Sequence, residues 1–182
     1  MTLLSDVAAL SQTYPGLGQT HRGPVPPGRV RLSQARLRQL VSAVAAQPDT
    51  WGELVRFGDG QRWYRRLELT EDHEVWLLSW LPGQSTGFHD HGRAAGAFAV
   101  AQGQIQERTV AAGGRPPVRH LTVAEGGVRP FGSHHVHDVV NAFAEPAITV
   151  HAYSPPLTAM RRFELTDSGL VHTGTECAEQ DW

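Results

Sequence analysis

The 182 residues predict an all-β domain, a jelly-roll barrel with a short helical lead. Three observations carry that expectation. From Arg62 to about Leu165 the chain runs in short segments rich in β-branched and aromatic residues. Pro and Gly cut those segments at near-regular spacing, for example at Pro82-Gly83, Gly126-Gly127, Pro130-Phe131-Gly132 and Pro155-Pro156. A clear helical period occurs only ahead of them. Many short strands after one helix is the pattern of a closed barrel or double-sheet jelly roll, and the length suits one domain.

The elements follow in order. Residues 1–61 read as a lead packed on the barrel, 62–170 as the barrel, and 171–182 as a polar, poorly ordered tail. Within the lead, Leu3–Leu10 could form one or two helical turns, and Tyr14–Arg29, rich in Pro and Gly, reads as loop. Leu37, Leu40, Val41 and Val44 follow the 3.6-residue period; Ser33 is the expected N-cap and Pro48 the expected stop. Expected strands are Trp63–Leu69, Glu74–Leu81, Ala97–Val100, Gly103–Thr109, His120–Val123, Val136–Asn141, Ala147–Tyr153 and Met160–Leu165.

Composition removes several classes of function. All 16 basic residues are Arg, so Schiff-base chemistry through lysine and a lysine-bearing phosphate loop are excluded. A net charge of −2 argues against a general grip on nucleic acid or anionic membrane, and no apolar run is long enough for a membrane-spanning helix. The start, MTLLSDVAAL, lacks the basic region of a signal peptide. The single cysteine, Cys177, cannot form an internal disulfide and fits a reducing cytosol. A cytoplasmic monomer is the expectation. Ten histidines, most of them between positions 89 and 151, point first to a metal.

Gly83-Gln-Ser-Thr-Gly-Phe-His89-Asp90-His91 carries the strongest signal. On a strand, His89 and His91 share one face and Asp90 takes the other, so two imidazoles can grip one ion without bending the chain. His134-His135-Val136-His137-Asp138-Val139-Val140-Asn141 offers a third imidazole. This resembles the two-part motif of the cupin superfamily, whose fold is a double-stranded β-helix. Gly83 through His91 and Gly103 fit the first half, with Gly96 in place of its glutamate; His137 and Asn141 fit the second half. Pro130-Phe131-Gly132 sits further from the histidine than usual, which keeps His135 as a rival to His137.

His89-Asp-His-Gly, Asn141 and Glu145-Pro-Ala-Ile-Thr-Val-His151-Ala-Tyr153-Ser-Pro-Pro156 resemble a bacterial cysteine dioxygenase, over roughly Arg62 to Phe163. The resemblance implies Fe(2+) held by His89, His91 and His137, with L-cysteine and O2 converted to cysteine sulfinate. Thr149, His151 and Tyr153 alternate along one strand and can form a hydrogen-bonded relay; the resemblance implies that the tyrosine hydroxyl ends it beside the substrate. The resemblance also implies an arginine clamp for the substrate carboxylate. Arg65 is the matching residue and Arg66 its alternative if the register slips. A clamp arginine together with Ser-Pro-Pro resembles the cysteine-preferring branch rather than the 3-mercaptopropionate branch. Animal enzymes of the family crosslink the tyrosine to a cysteine whose matching position here is Gly96, so an unmodified Tyr153 is expected. The alternative functions are dioxygenation of another small thiol and a non-catalytic metal-binding cupin.

Overall fold

A computed structural model of the protein describes residues 31–58, 60–111 and 116–178. The expected elements at Leu3–Leu10 and Tyr14–Arg29 lie outside the described residues. Helix α1 (Gln34–Ala45) begins at Ser33, whose hydroxyl accepts from the Arg36 backbone N–H at 3.2 Å. That bond satisfies one of the donors a helix start leaves unpaired. Leu37, Val41 and Val44 form its buried stripe. Pro48 does more than stop the helix: it opens a second one, α2 (Pro48–Trp51), where a missing N–H costs nothing. The Trp51 indole donates back to the Val44 carbonyl at 2.8 Å and ties the two helices together.

Eleven strands follow among the described residues: β1 (Trp63–Leu69), β2 (Glu74–Trp80), β3 (Phe88–His89), β4 (Ala95–Gln102), β5 (Gln104–Val110), β6 (Val118–Ala124), β7 (Val128–Phe131), β8 (His137–Val140), β9 (Ala147–Ser154), β10 (Ala159–Thr166) and β11 (Gly169–Cys177). They form two antiparallel sheets, ordered β1-β2-β9-β4-β7 and β11-β10-β3-β8-β5-β6. Sequence neighbours repeatedly fall in different sheets, as in a jelly roll. Gly103 makes the tight β4–β5 turn at φ 77°, and a Cβ there would lie 2.7 Å from the Pro146 carbonyl oxygen.

The central strands of the first sheet, β2, β9 and β4, are buried on both faces. Trp76, Leu78, Trp80, Phe98 and Val100 point into the barrel. Val75, Leu77, Ala97, Ala99, Ile148, Val150 and Ala152 point the other way, onto Leu37, Val41 and Val44 of α1. This double cover explains why β2 and β9 are buried at every position. It also leaves Thr149, His151 and Tyr153 on the barrel side of β9.

Strand β11 corrects the expected polar tail over 171–182. Residues 169–177 pair with β10 from Thr166↔Gly169 to Ala159↔Cys177, after a turn at Asp167–Ser168. The strand lies at a sheet edge, and only Gly169 of it is buried. An edge strand can carry polar residues at nearly every position, so hydrophobic alternation does not reveal it.

Candidate metal centre

His89 on β3 and His137 on β8 face each other directly across the ladder. His91 lies just beyond β3, and candidate ligand atoms of the three imidazoles all fall within 4.8 Å of one another. Their ring centroids are 4.8, 4.9 and 5.0 Å apart, and all three residues are buried. The intervening Asp90 turns away and binds Arg161, accepting from its Nε at 2.6 Å. His134 is exposed.

Each imidazole is held differently. His89 Nδ1 is 3.0 Å from the Gly87 carbonyl and His137 Nδ1 is 2.9 Å from Glu107 Oε1. Both partners only accept, so these Nδ1 atoms carry the hydrogens and leave Nε2 with its lone pair. His91 has both ring nitrogens buried with no hydrogen-bond partner. Burial, reinforced by neighbouring imidazoles and by Arg162 and Arg62 around His89, holds His89 and His91 well below the usual histidine range. His137 is lowered by burial and partly restored by Glu107. The trio is therefore a set of neutral nitrogen donors. An orphaned buried imidazole is costly unless something binds it, and the donor set suits a divalent transition metal. His89, His91 and His137 fit such an ion.

Glu107 is buried and binds three groups. It accepts from His135 Nε2 at 2.8 Å, His137 Nδ1 at 2.9 Å and Arg129 Nε at 2.6 Å. Burial alone would raise its pKa, but these donors outweigh burial and depress it. Glu107, His135 and His137 also lie close enough together to hold an ion. Glu107, however, lies at hydrogen-bond distance from both imidazoles, so His135 is engaged by the carboxylate rather than by the imidazole trio.

Tyr153 Oη lies 3.3 Å from His151 Nδ1, and His151 Nε2 lies 2.9 Å from Thr149 Oγ1. The Trp80 indole donates to Thr149 Oγ1 at 2.8 Å. Burial lowers His151 well below its usual range and, with Glu74 nearby, raises Tyr153. The relay is therefore uncharged, with the phenol retaining its proton. His151 and Tyr153 line a cavity of about 490 Å³ that also reaches His89, His137, Arg62 and Arg162.

The cavity changes the arginine assignment. Arg65 is exposed and pairs across from Leu77, on the sheet face turned away from the barrel. Arg66 lies over Trp76 and 3.8 Å from Glu74. Arg62, just before β1, lines the cavity and stacks over Trp80 at 5.4 Å. Its Nε is buried without a hydrogen-bond partner. Arg162 also lines the cavity, but two bonds engage it with Glu176 and a third with the Thr86 carbonyl. On β1 the inward face is the one bearing Tyr64 and Arg66, which lie against Trp76. Trp76 and Trp80, at alternate positions of β2, carried the available signal for that face. Glu107, two residues after Ile105 on β5, was the other legible sign, a charge on an inward position.

The segment 30–166 matches the family described as Cysteine dioxygenase type I, which spans more than half of the chain. Cysteine dioxygenase type 1 of Danio rerio is 27% identical over 147 residues, covering 73% of this chain and 71% of the relative. The Homo sapiens protein of the same description is 23% identical over 139 residues, covering 70% and 68%. Among solved structures, a Thermus thermophilus protein aligns with TM-score 0.51 at 20% identity, covering 58% of this chain and 93% of its own. A Klebsiella pneumoniae protein with a double-stranded β-helix domain aligns with TM-score 0.50 at 22% identity, covering 68% and 93%. The latter two share the fold. With its cupin double-stranded β-helix and buried trio of imidazoles, the chain belongs to the cysteine dioxygenase type I family.

Proposed function

We propose that the protein is an iron-dependent dioxygenase that converts L-cysteine and O2 to cysteine sulfinate. The observation that carries this reading is the neutral trio His89, His91 and His137 beside a cavity lined by Arg62 and Tyr153. Fe(2+), held by the three imidazoles, would supply the Lewis acidity and redox chemistry that bring a thiolate and O2 to reaction.

The chain's own groups select and orient the reactants. Arg62 meets the substrate carboxylate: it is the cavity arginine without a salt bridge among the described residues. Its stacking over Trp80 and Tyr64 aims the guanidinium and limits its rotation. Thr149 already accepts from Trp80, so its hydroxyl proton is directed to His151 Nε2. His151 Nδ1–H then donates to Tyr153 Oη. That order leaves the phenol hydrogen free to be donated into the cavity, where it stabilises charge developing on oxygen.

The test is anaerobic loading with Fe(2+), followed by O2 uptake and sulfinate measurement with cysteine, 3-mercaptopropionate and cysteamine. Equimolar O2 consumption and sulfinate formation, greatest with cysteine, is the expected result. No O2 consumption with any thiol overturns the enzyme reading. The panel matters because Arg65, the residue that favoured the cysteine branch, stands outside the cavity. A preference for 3-mercaptopropionate would retain the dioxygenase and replace the substrate.

A further inference from the structure

His91 is the member of the imidazole trio without a hydrogen bond to orient it. Rings hold it instead. Phe131 stacks on it at 4.8 Å and 28°, and Tyr153 at 5.0 Å and 28°. Phe131 and Tyr153 lie 6.4 Å apart, so the two rings form a corner rather than a sandwich. Phe131 also touches the rings of His135 and His137 at 5.2 and 5.0 Å.

The backbone shows how this corner is built. Gly96 on β4 pairs with Phe131 on β7 on one side and with Tyr153 on β9 on the other. Directly paired residues project to the same face of a sheet, so the three positions lie abreast. A Cβ on Gly96 would come within 2.5 Å of Phe131 Cε2 and Cζ and 3.0 Å of Tyr153 Cδ1. The Phe131 ring therefore occupies the volume that a side chain at position 96 would fill. Gly96 lies within the strand and is not in the left-handed region, so its lack of a side chain serves space rather than backbone conformation.

We propose that Gly96 and Phe131 act as a matched pair whose function is to position His91 and Tyr153. Phe131 is a positioning residue that sets the plane of an imidazole no hydrogen bond holds, and Gly96 admits its ring. The pair does by packing what Gly87 does for His89 and Glu107 does for His137. The inference rests on the metal-centre reading above.

The test uses a volume-exchange cycle: Gly96→Ala, Phe131→Leu and the double variant. The readouts are affinity for Co(2+) or Fe(2+), the visible spectrum of the Co(2+)-loaded protein, and thermal unfolding of the metal-free chain. Each single variant is expected to weaken metal affinity by about tenfold, the lower end for losing a group that orients a ligand, and to shift the Co(2+) bands. The double variant should recover affinity relative to Gly96→Ala, because the smaller side chain vacates the space the new methyl needs. Lower melting temperatures in the single variants with unchanged metal affinity and spectrum would overturn the proposal, leaving only a packing role. Multiplicative losses in the double variant would also overturn it. If the wild-type chain binds no divalent metal, the metal-centre reading fails first. If it binds metal but oxidises no thiol, the proposed function fails and the positioning proposal is still judged by the cycle.

Discussion

Each imidazole of the trio depends on a different kind of neighbour, and the difference separates the consequences of substitution. His89 leans on a backbone carbonyl, His137 on a carboxylate and His91 on rings. Glu107→Gln removes the charge that fixes His137 and leaves Arg129 without its charged partner. We expect metal affinity to fall roughly 10- to 100-fold, measured by competition with a chelator. The same substitution should lower the melting temperature, because the part-buried Arg129 loses its charged complement. Arg62 and Arg65 make a sharper comparison, being three positions apart on opposite faces. Arg62→Gln should raise KM for cysteine at least about 30-fold, equivalent to ~2 kcal/mol for losing one partner of a buried charge pair. Arg65→Gln should leave kcat/KM unchanged. Equal losses in the two variants would show that the carboxylate is not met by Arg62.

At the scale of elements, β9 serves two structures at once. Ile148, Val150 and Ala152 seat the helix, while Thr149, His151 and Tyr153 face the barrel. The two functions alternate residue by residue, so damage to the helical side can be separated from damage to the site. Leu37→Ala in α1 empties a fully buried position. It should cost about 2–5 kcal/mol in a urea unfolding series and leave metal affinity within twofold of wild type; a large loss of affinity would mean that α1 sets the geometry of the centre. The helix period, the Ser33 cap and eight of the strands were legible because periodicity and turn residues are local signals. The motif histidines were legible from their spacing, although His91 falls just past the end of β3, and Thr149-x-His151-x-Tyr153 was legible because alternation on a strand determines which side chains share a face. Strands β3, β7 and β11 were harder to see: the first two have two and four residues, and the third is a polar edge. The position of Arg65 outside the cavity was harder to read for a related reason. Alternation says which residues of β1 share a face, but only the sheet's position between α1 and the barrel says which face is inside.

For the molecule as a whole, the two sheets bury histidines that must remain uncharged. His89, His91, His137 and His151 are all lowered by burial, the first two and the last of them well below the usual range. In the unfolded chain each would take up a proton near pH 6.5. Below that pH the unfolded state binds more protons than the folded state, so stability rises with pH through this window and is lost as pH falls. Each imidazole adds a slope of up to ~1.4 kcal/mol per pH unit until its own folded pKa is reached. Glu74, raised by burial, works in the opposite direction, because the folded state then holds a proton longer than the unfolded one. It is one carboxyl against four imidazoles. Glu107 is depressed, so its contribution is present above the unfolded carboxyl range near pH 4.3 and lost only below it. The metal-free protein should therefore lose several kcal/mol of unfolding free energy between pH 7.5 and 5.5, tracked by urea midpoints at constant ionic strength. Substituting His151 with Gln should flatten that slope by about one proton. An unchanged midpoint over the same range would mean that the histidines take up protons without unfolding, and that the barrel is more open to water than its packing shows.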